Sequence, residues 1–429
     1  MVGEDIKLKR KARDKMKRRK IFLYSLFVFA FFVWSAVVAA EEVVIGYSGS
    51  LGGPAAEYGQ DNVNGIDMAI KELNAAGGIT VKGKNYTFKL HQLDDRAGMT
   101  EAINNARKFV TQDKAPVVFN SSATTIGALL KINETTGNEF LLVGYSSMHT
   151  LHNLGNKLFI NPTPDYRSFI AAACDFAWGK GYRNGTMVVT LGAYGDAWRK
   201  DFKAAWEKKG GRILGDYPVN YYTETDFSGQ LTSALAKKPD FLLIGGPSAT
   251  TALIVEQARS MGFKGSFIIT DQARMDFIAG ILKNMKLIEG MIGIANIEDL
   301  PFPASAAFIK KYKDAYKKAA TWESALNYMT MYVIARAMVA AGSVSNPYAI
   351  RQAVGNALPV LGDRYPSEFF SIEENGVMNS AGIIQSVEKG EFHKVNYILS
   401  FPKTKADFEK YKKMSKIIEP KKYRWIPMR

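Results

Sequence analysis

One cysteine and four histidines in 429 residues leave little material for disulfides, thiolate metal clusters or histidine-based catalysis. Cys174 has no partner for an internal disulfide, and its setting in Ala171-Ala172-Ala173-Cys174-Asp175-Phe176 reads as a buried small residue rather than a nucleophile. His149 and His152 are the only close histidine pair, and no carboxylate or cysteine accompanies them at a ligand-like spacing. No Gly-x-Ser-x-Gly elbow, Walker loop or Cys-x-x-Cys occurs, so neither a metal nor a cofactor is expected, and catalysis is not expected either. With 47% hydrophobic and 23% charged residues, the chain is too apolar to be disordered. Its net charge of +15 suggests nucleic acid at first, but the excess lies at the ends: +7 in residues 1–40, +7 in 401–429 and only +1 between them. A nearly neutral body is a poor groove for a phosphodiester backbone, so no nucleic-acid partner is expected.

The basic N-terminus leads into IFLYSLFVFAFFVWSAVV from Ile21 to Val38, preceded by Lys17-Arg18-Arg19-Lys20 and followed by Ala39-Ala40. A basic stretch, an apolar stretch and small residues at −3 and −1 predict an export signal over 1–40, cleaved after Ala40. Met16 is the more conventional start. An uncleaved membrane anchor is the alternative, because the apolar run approaches the length that spans a bilayer. No cysteine follows it, so a lipid anchor is unsupported.

Past Glu42, short β-branched runs alternate with amphipathic stretches. Val43–Tyr47, Tyr86–Leu93, Pro116–Phe119 and Phe140–Val143 read as strands, with helices over Tyr58–Ala76, Thr100–Thr111 and Thr124–Thr136. After Asn161-Pro162-Thr163-Pro164 the pattern starts again, with strands at Met187–Leu191, Arg212–Val219, Phe241–Gly245 and Ser266–Ile269. Three helical stretches follow (Ala304–Ala319, Ala325–Ala341, Pro347–Gly355), then β-like runs at Glu368–Ile372, Ala381–Val387 and Lys394–Leu399. The expected fold is α/β: two doubly wound parallel-sheet lobes joined by three crossovers, the first built from 41–162 and 297–363, the second from 163–296 and 364–400. Ligand space belongs at strand C-termini and between the lobes. The basic tail, 401–429, interleaves lysines with Phe408, Tyr411, Ile417, Ile418, Tyr423 and Trp425, a pattern open to a solvated tail, to one wrapping its own domain, or to a permease or membrane contact.

The first strand runs into Gly46-Tyr47-Ser48-Gly49-Ser50-Leu51-Gly52-Gly53, spaced G-x-x-G-x-x-G-G rather than G-x-G-x-x-G, which argues against a dinucleotide. Leu51-Gly52-Gly53-Pro54-Ala55-Ala56-Glu57-Tyr58-Gly59, Leu73-Asn74-Ala75-Ala76-Gly77-Gly78-Ile79 and Leu93-Asp94-Asp95 closely resemble the opening of type I periplasmic binding proteins of the leucine/isoleucine/valine-binding class. Tyr194-Gly195, Asp226-Phe227-Ser228, Pro239-Asp240-Phe241, Gly245-Gly246 and Gln257-Ala258-Arg259-Ser260-Met261-Gly262 continue the resemblance in family order. It implies a periplasmic receptor that delivers a small solute, an apolar or branched-chain-like amino acid, to an inner-membrane ABC permease, with an amine-free carboxylate or an amide as the alternative cargo and a membrane-tethered sensory module as the alternative role.

Carried onto this chain, the resemblance implies that Ser122 and Thr124 hold the ligand carboxylate, which suits hydroxyls at a helix start, although plain helix capping also suits them. Tyr145-Ser146-Ser147 match the segment that holds both ligand ends, with Ser147 the better placed. Asp271 falls where the family has the acidic partner of the ligand ammonium, its alternative being a surface turn or cap. Tyr58 and Tyr194 match aromatic positions on opposite jaws. Pro247 departs from the aromatic residue of the branched-chain receptors, which implies a changed side-chain pocket; Trp322, Glu323 and Asn327 lie near a further contact region without an assignable role.

Overall fold

The computed structural model describes residues 10, 13, 15–17, 40–399, 402–417 and 423–425. The apolar segment Ile21–Val38 therefore lies outside the described residues, as does Ile418 of the tail. Residues 42–429 form a compact unit built on two sheets.

The first sheet contains β1 (Glu41–Gly49), β2 (Ile79–Val81), β3 (Lys84–Asp94), β4 (Val117–Asn120), β5 (Leu141–Gly144) and β6 (Phe159–Ile160), in the order β2-β3-β1-β4-β5-β6. β1, β4, β5 and β6 run parallel in register, and their continuous burial is what a sheet covered on both faces requires. The β2–β3 hairpin turns on Lys82 and Gly83, both with positive φ. The second sheet contains β7 (Asn184–Val189), β8 (Arg212–Asp216), β9 (Phe241–Gly245), β10 (Ser266–Ile269), β11 (Ile292–Ile294), β12 (Phe369–Ile372), β13 (Met378–Glu388), β14 (Glu391–Leu399) and β15 (Tyr423–Trp425). Its β7–β11 part is parallel, and the β13–β14 hairpin adds to it antiparallel through β11. The expected α/β architecture is therefore present, with both sheets mixed rather than wholly parallel.

The helices Ser305–Tyr316, Trp322–Ala341 and Pro347–Ala357 bring no strand of their own and share a buried core with β1, β4 and β5. Trp322–Ala341 lies against Ala56–Ala75 and is buried around most of its circumference, as a helix trapped between helices and sheet must be. Its start is fixed by a capping box, in which Thr321 accepts from the Ser324 N–H and Ser324 accepts from the Thr321 N–H. The same core continues through Phe369 and Phe370 to Phe408, Tyr411 and Ile417, so these apolar residues of the basic tail pack on their own chain.

One helix is shorter than its sequence pattern. The stretch expected to be helical to Thr136 stops at Leu129, because Asn133 turns its amide inward to donate to the carbonyls of Phe140 and Leu158. Satisfying two buried carbonyls outweighs a further turn of helix there.

Candidate functional site

A cavity of about 290 Å³ opens between the lobes at the C-terminal ends of β4, β5, β7, β10 and β11. Tyr58, Ser122, Thr124, Tyr145, Ser146, Ser147, Tyr194 and Asp271 all line it.

On the first-lobe wall, Asn120 at the end of β4 organises the serine turn. Its Oδ1 accepts from the Ser122 N–H at 3.1 Å and from the Thr125 hydroxyl at 2.7 Å, while its Nδ2 donates to the Ser48 carbonyl and to Asp95. Ser122 stands at the N-cap of helix Ala123–Leu129 without its hydroxyl capping that helix. Asn120 stabilises the turn instead, and Ser122 lines the cavity. Ser121 is engaged by Tyr47 at 2.9 Å, and Thr124 is exposed. After β5, Ser146 turns its hydroxyl to the Met148 N–H, leaving Ser147 as the serine that reaches across.

The second-lobe wall carries Asp271, just past β10. Tyr194 and Trp198 donate to its Oδ1, the indole at 2.7 Å, and the Ser147 hydroxyl of the facing lobe also bonds to it. Burial raises the Asp271 carboxyl above the ordinary aspartate range against the pull of these donors. Asp271 is thus neither a surface turn residue nor a cap. Tyr145 lines the same cavity, its hydroxyl pushed up by burial and by the charges of Glu323 and Asp271.

Tyr58 and Tyr194 occupy matching turns. A side chain at Gly59 would meet the Ser50 carbonyl at 1.7 Å, and one at Gly195 would meet the Thr190 carbonyl at 1.8 Å. In each lobe, therefore, a glycine lets the helix start press against the strand end, and the tyrosine before it is directed to the cavity. The Tyr58 hydroxyl crosses the cleft, accepting from the Ser248 N–H at 2.9 Å and donating to the Gln272 carbonyl at 3.0 Å. Pro247 does not line the cavity; it is the N-cap of helix Ser248–Ser260, and Ser248 behind it meets Tyr58. The pocket change implied at Pro247 is corrected accordingly, to a contact between lobes.

Arg274 and Glu323 are the site residues that the sequence left unassigned. Arg274, three residues after Asp271, reaches across the cleft to Asp61 at 3.0 Å, Glu57 at 3.4 Å and Glu323 at 3.8 Å. Burial works against its charge, but the acids Glu323, Glu57 and Asp61, together with Tyr58, hold its proton more tightly than usual. Burial likewise raises Glu57 and Glu323 above the ordinary glutamate range, with Arg274 pulling both down. A lone arginine in the Asp271 loop was the available signal; its partners come from two distant segments, and only packing joins them.

Neither the histidine pair nor the cysteine contributes to the cavity. His149 bonds to Asp201 at 3.0 Å, and His152 pairs with Asn161 at 2.6 Å, burial pushing its pKa down to about 3. Among the described residues no group of three or more His, Cys, Asp or Glu is arranged to hold a metal. Burial pushes the Cys174 thiol up to about 12, the behaviour of an inert core residue.

With two lobes, a closed cleft and serine turns opposite a held acid, the geometry is that of a solute trap. Residues 42–391 match the family described as periplasmic binding protein. The chain belongs to that family. It is a solute receptor rather than an enzyme, and its family is periplasmic. A relative named Leu/Ile/Val-binding protein homolog 1, from Brucella melitensis, is 26% identical over 366 residues, 84% of this chain and 94% of its own. Among solved structures, a leucine-binding protein of Thermotoga maritima superposes with a TM-score of 0.70 at 23% identity, covering 83% of this chain and 98% of its own. An R. palustris solute-binding protein in complex with benzoate superposes at 0.69 and 14% identity, covering 83% and 96%. These likenesses below 25% identity establish the fold.

Proposed function

We propose that this receptor captures an α-amino acid between its lobes and presents the closed form to the inner-membrane permease of an ABC importer. Asp271 carries the reading: an acid held by Tyr194 and Trp198 in the cavity wall is a counter-charge for a buried ammonium, which left unpaired would cost several kcal/mol, on the order of 3–5. Opposite it, the Ser122 hydroxyl, with Thr124 and the open N–H groups of the short helix, receives the carboxylate, while the Ser147 hydroxyl stays on Asp271. Tyr58 and Tyr194 cover the ligand from the two sides. A solute touching both walls adds contacts that only the closed form makes, so binding shifts the population toward closure. The names of the Brucella and Thermotoga proteins agree with an amino-acid cargo. Export with cleavage after Ala40 completes the proposal, and a mature chain beginning at Glu41 distinguishes it from a tethered sensor.

A second reading has its own support. Asp271 already has three donors and a raised pKa, and Tyr145, Tyr194 and Trp322 make the cavity strongly aromatic, which suits an amine-free aromatic carboxylate such as the R. palustris protein holds. A thermal-shift screen of the purified protein with amino acids, aromatic acids and amides separates the two. At 100 times its dissociation constant a true ligand adds about 2.7 kcal/mol of stability. A response to amino acids supports the first reading, and a response confined to amine-free acids overturns it.

A further inference from the structure

Glu323 sits in the first turn of helix Trp322–Ala341, is 6% exposed and lines the cavity. Its position is fixed on both sides: Thr321 and Ser324 cap the helix, and the Trp322 indole donates to the Ala295 carbonyl at 2.8 Å. Yet its Oε2 has no hydrogen-bond partner. The nearest cation, Arg274, stands 3.8 Å away and makes its shorter contacts to Asp61 and Glu57.

Glu57, Asp61 and Glu323 face Arg274 and Lys318, the latter bound to Asp61 at 2.7 Å, so three acids meet two cations. Asp271 adds a fourth acid on the other wall, where its donors are neutral. An α-amino acid with an aliphatic side chain brings one ammonium and one carboxylate, which leaves this imbalance unchanged and the Glu323 oxygen unpaired. A buried acceptor without a donor is costly, and a ligand that supplies the donor gains what an aliphatic one does not.

Resting on the amino-acid reading above, we propose that Glu323 receives a second N–H group at the far end of the ligand, so that the preferred cargo is an α-amino acid whose side chain ends in an ammonium or an amide. Asp271 and Glu323 then hold the two ends of one molecule, one acid in each lobe of the shared cavity. Leucine-like side chains fill the space without satisfying Glu323.

Lysine and norleucine make the cleanest probes, because they differ only in the terminal amine; glutamine and leucine form the second pair. Calorimetry on the wild-type protein is expected to give lysine or glutamine at least tenfold tighter binding than its aliphatic counterpart. Glu323→Leu is expected to remove that preference, bringing the lysine-to-norleucine affinity ratio to about one. The wild-type ratios need no variant, so they decide the matter even where Glu323→Leu fails to fold. Norleucine and leucine binding as tightly as lysine and glutamine overturns the assignment of Glu323 alone, with a water satisfying its oxygen. Binding of none of the four overturns the amino-acid reading and this inference with it.

Discussion

On the first-lobe wall the cavity offers hydroxyls, Ser122 above all, which makes no capping bond to its own helix. On the second-lobe wall it offers Asp271, a single acid clamped by Tyr194 and Trp198 before any ligand arrives. The first wall is adaptable because a hydroxyl rotates to donate or accept; the second is set, because each donor fixes the carboxylate orientation. Such a pair of walls orients a zwitterion: the acid selects the ammonium end, and the serines accommodate the carboxylate. The lobes differ in the same sense where they touch each other, since Arg274 is one cation from the second lobe answering Asp61, Glu57 and Glu323 from the first.

Removing the set wall is expected to have the largest effect. Asp271→Ala should weaken amino-acid binding about 100-fold, roughly 2.7 kcal/mol, while leaving binding of an amine-free analogue nearly unchanged; calorimetry with both ligands checks it. Arg274→Met retains the aliphatic volume and deletes the charge that holds the cleft. Opening lets the stranded acids hydrate, so a more open solution scattering profile and about tenfold weaker binding, roughly 1.4 kcal/mol, are expected. Ser122→Ala removes one adaptable donor while its neighbours remain, for a loss of about fivefold, near 1 kcal/mol. Equal effects at Ser122 and Asp271 would erase the distinction between the walls.

Acidification examines the same contrast without mutation. The Asp271 carboxyl must be ionised to pair with an ammonium, and burial raises its pKa. Amino-acid affinity is therefore full above that raised value and falls as pH drops through it, at a higher pH than an ordinary aspartate would set. An amine-free carboxylate should not lose affinity by this route. Titrations of both ligands between neutral and mildly acidic pH measure the difference.

Much of this was legible in the chain because parallel sheets place ligands at strand ends. Asn120-Ser121-Ser122, Tyr145-Ser146-Ser147 and Asp271 each come at or just past the end of a buried apolar run, so local pattern located them. The two Tyr-Gly turns were legible for a similar reason, each glycine being required by a carbonyl a few residues away. The Arg274 cluster was not, because Asp61, Glu323 and Arg274 meet only after the chain has crossed between lobes, and no sequence spacing encodes that meeting. Helix 123–129 was overextended because its terminator, Asn133, acts through carbonyls at Phe140 and Leu158 rather than through a local breaker. Pro247 drew attention as a pocket residue, whereas its place at a helix N-cap gives its neighbour Ser248 to Tyr58.

The most direct measurement is a pair of calorimetric titrations of the wild-type protein, one with the amino acid that binds best and one with the same molecule lacking its α-amine. An acid held in the cavity wall for an ammonium predicts that the amine-free compound binds at least 100-fold more weakly. Equal affinities would contradict the role given to Asp271 and leave the cavity as a site for carboxylates alone.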